Sequence, residues 1–181
     1  MRILGIDPGS LYAGYGIIDA SAGGESFVAC GVVRLSSKEE HAERIRQLFE
    51  AITALIREHT VTQMAVEMPV YARNPQSLLK LGRAQGAAIL AAMQLGVPVE
   101  EYTPTEVKKA VSGKGTATKD HVARLVAAQV TLPKDVEIRH DAFDALAVAL
   151  CHAHRRKQAD RPVYSDWASF LKSHPDRFSA G

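Results

Sequence analysis

Four carboxylates stand where an acid is costly. Asp7 ends the apolar run RILGID, and Glu67 falls near the end of the apolar run TQMAVEM. Asp141 and Asp144 stand three apart in DAFDALAVAL, so on a helix they share a face. Their neighbours Phe143, Leu146, Val148 and Leu150 are apolar, which sets that face against a core. A carboxylate beside a buried surface is costly unless it is paired or bound to a metal. Singly, each acid has an ordinary explanation: Asp7 in an Asp-Pro-Gly turn, Glu67 as a strand-end acid, Asp141 as a helix cap. Jointly they point to a metal cluster, because converging carboxylates repel one another unless divalent cations neutralise them. Oxygen-only donors favour magnesium or manganese over zinc. Two such ions, roughly 3.5–4 Å apart, clamp the attacking water and the leaving oxygen of a phosphodiester.

Convergence needs particular elements. Residues 2–7, 14–19 and 26–35 read as three strands, with Gly23 and Gly24 marking a hairpin between the second and third. From 37 to 60 the apolar period shifts to three and four, giving an amphipathic helix with Ser36 or Ser37 as N-cap. A strand at 62–68, a helix at 76–96, a strand at 97–103, a helix over TPTEVKKAVSG (103–113) that breaks at GKG, and helices at 118–132 and 139–157 follow. Three antiparallel strands feeding strand–helix–strand units imply an α/β fold. Its five-stranded sheet is mixed, antiparallel then parallel, with helices on both faces. The first and fourth strands are then neighbours, which puts Asp7 beside Glu67. Gly9, Gly14 and Gly16 read as letting the backbone turn tightly after Asp7 and leaving room beside it.

The chain has 181 residues, 46% of them hydrophobic, and a net charge of +2. That supports one domain over 1–158 with a tail over 159–181, a short helix or partly disordered. No apolar run is long enough for a membrane span, and the N-terminus carries no targeting pattern. Cys30 and Cys151 lie in apolar stretches without metal spacing, as expected of free thiols in a reducing cytoplasm. Bulk charge makes no case for nucleic acid. Two local clusters do: HAHRRK at 152–157, and VKKAVSGKGTATK at 107–119, with four lysines and no acid.

GIDPG, the VE at Val66 and Glu67, LKLGRAQGAAILAA, EYTPTEVKKAVSGKGTATKDHV and DAFDALAVALCHA occur in one order across residues 2–155. In these blocks the chain resembles the RuvC-type Holliday-junction resolvases of the RNase H-like superfamily. The resemblance implies a homodimeric, magnesium-dependent endonuclease of recombination and repair. Such an enzyme nicks opposite strands of a four-way DNA junction, usually beside a branch-migration motor. It implies two Mg2+ per subunit, with Mn2+ able to substitute. By position the family acids fall on Asp7, Glu67, Asp141 and Asp144, with His140 a neighbour rather than a ligand. Lys108 and Lys119 match family lysines near the site, where they would hold the scissile phosphate. Gly113 and Gly115 flank Lys114, which lets that loop approach a DNA backbone.

The family's junction-entering aromatic falls at Val70, with Tyr71 one residue later able to stack on an unpaired base. Arg73 and Lys80 are candidate phosphate contacts. Gly82, Gly86, Ala87 and Ala91 form a small-residue stripe that packs on the sheet or meets a second subunit. Two other functions stay open. One is an RNase H-like nuclease acting on RNA or RNA–DNA hybrid. The other is an actin-like ATP-binding module, for which the chain is about half the required length and the late acids have no place.

Overall fold

The computed structural model describes residues 1–69, 74–132 and 138–159. The elements run β1 (Arg2–Asp7), β2 (Tyr12–Ser21), β3 (Gly24–Arg34), α1 (His41–Glu58), β4 (Gln63–Glu67) and α2 (Pro75–Gln94). They continue with β5 (Val99–Tyr102), α3 (Pro104–Ser112), α4 (Lys119–Val130) and α5 (His140–Ala159). The sheet order is β3-β2-β1-β4-β5. β1 pairs antiparallel with β2 and parallel with β4, and β4 pairs parallel with β5. This is the mixed five-stranded sheet that the strand order implies.

Each sheet face carries its own core. Leu4, Ile6, Ile17, Met64 and Val66 meet Leu48 and Ile52 of α1 and Ala84, Ala88 and Ala91 of α2. On the other face, Ile3, Ile18 and Ala65 meet Val107 of α3, Val126 of α4, and Leu146 and Leu150 of α5. Alternate residues of β1 thus point to opposite cores, as the strand period of two demands.

Two expectations change. α1 begins at His41, not at residue 37. Ser36 is occupied elsewhere: its hydroxyl accepts from Lys38 N and its carbonyl from Glu39 N, both at 3.2 Å. That turn competes with helix, and Glu40, the N-cap, makes no side-chain cap bond. Gly9 does sit in the tight turn after Asp7, where a Cβ would lie 1.7 Å from the Tyr12 carbonyl oxygen, but Gly14 and Gly16 serve a different purpose. A Cβ on Gly14 would lie 1.9 Å from the Asp141 carbonyl oxygen, and one on Gly16 would lie 2.7 Å from Leu146. They make room for α5, which lies directly on β1 and β2, and not for a ligand beside Asp7. The tail, like residues 70–73, lies outside the described residues apart from Ala159, the last residue of α5.

Candidate active site

The parallel register of β1 on β4 sets Ile6 beside Val66, so Asp7 and Glu67 leave the sheet side by side at its carboxyl end. α5 brings in a third acid. Its backbone rests against Gly14 at Asp141 and against Gly16 at Leu146, and between these two contacts Asp144 faces the same end. A cavity of about 250 Å³ opens there, lined by Asp7, Glu67, Asp144, Lys108 and Lys119, with Pro104, Val107, Val122 and Ala147 as its apolar wall. A second cavity of about 280 Å³ shares Asp7 and Glu67 and continues past Pro8, Met68, Pro69 and Leu81. The two acids therefore form the ridge of one continuous groove.

Local sequence places both lysines. α3 starts with a capping box: Thr103 accepts from Glu106 N at 3.3 Å, and Glu106 accepts from Thr103 N at 3.0 Å. With Pro104 at the first turn, the box holds the helix that carries Lys108 along the groove. α4 is capped by Thr118, which makes Lys119 its first residue. A cation there opposes the helix dipole. The acids outweigh that, since the Lys119 ammonium donates to an Asp144 carboxylate oxygen.

The electrostatics are those of crowded anions. Burial, then the charges of Glu67 and Asp144, pushes Asp7 up to about 8. Lys119 offsets part of this, and Asp141 adds the smallest contribution. Burial and Asp144 push Glu67 up to about 7, against Lys119 and Lys108. Lys119 loses by burial but gains more from Asp144, Asp7 and Glu67, so it is held more firmly charged than an ordinary lysine.

Five of the sequence-derived residues are thus gathered: Asp7, Glu67, Asp144, Lys108 and Lys119. Asp141 is not part of the cavity wall; its charge still acts on Asp7, and Arg139 lies 3.8 Å from it. His140 is the exposed first residue of α5. Lys114 is exposed in the turn between α3 and α4, away from the cavity wall. Lys80 is exposed on α2, and its charge, with those of Arg44 and Arg83, acts on His41. Tyr71, Val70 and Arg73 lie outside the described residues.

The HAHRRK cluster is not one basic patch. His152 is buried, accepting from the Tyr102 hydroxyl at 2.8 Å through Nδ1 and donating from Nε2 to Gln63 Oε1 at 2.5 Å. Arg155 pairs with Glu106 at 2.6 Å and Lys157 with Glu25 at 2.7 Å. The buried link from α5 to β4 and β5 was missed; its signal was the apolar run Leu150–Cys151 leading into His152. Cys30 and Cys151 are both free, and burial pushes the Cys151 thiol up to about 12.

The family described as "Crossover junction endodeoxyribonuclease RuvC" matches residues 3–152. A relative of that name from Salinibacter ruber is 46% identical over 179 residues, 99% of each chain. The Thermus thermophilus RuvC solved in complex with Holliday junction substrate superposes with a TM-score of 0.81 at 32% identity, covering 88% of this chain and 96% of that one. The yeast mitochondrial Holliday junction resolvase Ydc2, 13% identical with a TM-score of 0.62 over 97% of this chain and 83% of its own, shares the fold. With its acids at the carboxyl ends of β1 and β4 and a family match over residues 3–152, the chain belongs to the RuvC family of crossover junction endodeoxyribonucleases.

Proposed function

We propose that this chain resolves four-way DNA junctions by hydrolysing one phosphodiester per subunit, in a homodimer that needs magnesium. The observation that carries the chemistry is the groove in which Asp7, Glu67 and Asp144 face Lys108 and Lys119.

The donor set fits a hard divalent cation. It consists of carboxylate oxygens, and two of the three acids sit too close to other anions to ionise freely near neutral pH. Among the described residues no three such groups close into a finished cage. Asp7, Glu67 and Asp144 would hold the metal, with Asp141 as the fourth acid of the set. Bound there, magnesium or manganese supplies an activated water and charge stabilisation at the leaving oxygen. Lys108 and Lys119 bind the scissile phosphate and set it over the acids. Val107, Val122 and Ala147 keep bulk water from that side, which strengthens each charge contact. Lys114, Lys80, Arg73 and Tyr71 take the flanking backbone and bases. The charges of Lys80, Arg44 and Arg83 all act on His41, and this local concentration of cations supports the phosphate role of Lys80.

The dimer reading rests on α2. Its small-residue stripe divides: Ala91 packs into the core and Ala87 is buried, whereas Gly82 and Gly86 are exposed beside Leu79 and Leu90. An exposed apolar face with close-approach glycines suits a second copy of the same helix. A branch-migration motor as partner follows from family resemblance.

The decisive experiment offers the purified protein a four-way DNA junction, a linear duplex and an RNA–DNA hybrid, each with magnesium, with manganese and with EDTA. Paired symmetric nicks on the junction alone, in either metal and not in EDTA, are the expected result. Cleavage of the hybrid with the junction intact overturns the substrate assignment, and cleavage in EDTA overturns the metal.

A further inference from the structure

A second feature lies at the same end of the sheet as the acids. At the carboxyl end of β1, the neighbouring strand β2 begins with Tyr12 and the next strand β3 ends with Arg34, its register partner. Tyr12 belongs to neither core and keeps 47% of its surface exposed. The Arg139 guanidinium carbon sits 4.9 Å from the centre of the Tyr12 ring. Arg34 and Arg139 share the wall of a cavity of about 200 Å³ between β3 and the start of α5. Among the described residues Arg34 has no ion-pair partner, and Arg139 has only Asp141, at 3.8 Å.

An exposed aromatic ring flanked by two arginines adds no more to the fold than one surface cation–π contact. Its composition is that of a single-strand platform: a π-face for a base and cations for the backbone. Its position fits as well. β3 lies two strand spacings from β1, roughly 10 Å. A DNA strand crossing the end of the sheet covers that in about three nucleotides at ~3.4 Å each.

We infer that Tyr12, Arg34 and Arg139 form a subsite for the cleaved DNA strand where it runs past the acids, Tyr12 stacking on a base and the two arginines taking phosphates. The inference rests on the nuclease reading above and extends it to a surface on β2, β3 and α5.

The test measures binding of a labelled four-way junction by anisotropy across a salt series, in EDTA, for the full-length protein and its variants. Arg34→Ala with Arg139→Ala should weaken binding about tenfold. It should also flatten the slope of log affinity against log salt by about 1.5, because two phosphate contacts are lost. Tyr12→Leu, which keeps bulk without a flat ring, should weaken binding about tenfold, and Tyr12→Phe should leave it unchanged. Both arginines are exposed, so the salt slope reports contact and not folding. A double variant with the parent's affinity and slope overturns the inference, even if the Tyr12 variants unfold. A parent that neither binds nor nicks the junction overturns the nuclease reading, and the subsite with it.

Discussion

At the scale of residues, the site is a set of charges that the fold holds together against their repulsion. Asp7 is the most strained of them, buried and faced by Glu67 and Asp144. Asp7→Asn should therefore fold well, lose cleavage by at least about a hundredfold, and bind junction DNA as tightly as the parent or more so. The rate falls because a metal donor is lost, and outer-shell losses alone reach roughly 10–100-fold. Binding holds because one fewer anion faces phosphate. Cleavage rate and affinity measured on one junction check both halves. The metal-free protein has a pH signature of definite sign. Asp7 and Glu67 rise on folding from 3.8 and 4.5 to about 8 and about 7, so the folded state keeps protons that the unfolded chain releases. Their stabilising contribution is complete below about pH 4 and is lost as pH climbs through 7 to 8. His152 has the opposite sign. Burial lowers its pKa, so its contribution is lost only as pH falls below the unfolded value of 6.5. Melting in EDTA from pH 6.5 to 8, below the range where the buried Cys151 thiol adds a fall of the same sign, thus isolates the acids: the melting temperature should fall with rising pH, and magnesium should abolish most of the fall. A flat profile in EDTA would show that the acids are not coupled in this way.

At the scale of elements, function depends on where α5 docks. Gly14 and Gly16 let its backbone touch β2, and that contact sets Asp144 against Asp7. Gly14→Ala would drive a methyl into the Asp141 carbonyl, backbone against backbone, with no flexible side chain to yield. Overpacking of this kind costs about 1–3 kcal/mol, or roughly 3–10 °C of melting temperature for a domain of this size. The start of α5 should move, so activity should fall further than stability does; calorimetry and junction cleavage on the same sample separate the two. This is also where sequence reading reached its limit. Strand order and the two helical periods were legible, because burial imposes them residue by residue, and they sufficed to bring Asp7 and Glu67 together. Asp141 and Asp144 were legible as a pair but not in their different stations, since a three-residue step turns the side chains about 60° apart on a helix. Gly14 and Gly16 were misread because the groups they admit are more than a hundred residues away. Ser36 misled for a local reason: a serine closes a turn as readily as it caps a helix.

At the scale of the whole molecule, one groove cuts one strand, and a junction must be cut twice. Two cuts placed by symmetry require two copies related by a twofold axis, so the exposed face of α2 bears on the outcome of the reaction. Leu79, Leu90 and Met93 expose 56%, 59% and 64% of their surfaces, and Gly82 and Gly86, with open space above them, lie on the same side of the helix. A lysine at the centre of that face would be buried without a partner in a dimer and harmless in a monomer. Leu90→Lys should therefore shift the protein from dimer to monomer in sedimentation at micromolar concentration, with its melting curve nearly unchanged at low concentration. The groove of each monomer remains whole, so the chemistry survives and its coordination does not. On a supercoiled plasmid carrying an extruded cruciform, the dimer should make both cuts before it leaves and release linear DNA. Leu90→Lys should release nicked circles, because the first cut relaxes the plasmid and the cruciform is reabsorbed before a second monomer arrives. Linear product from a protein that sediments as a monomer would remove α2 from the interface and require a different surface to pair the two cuts.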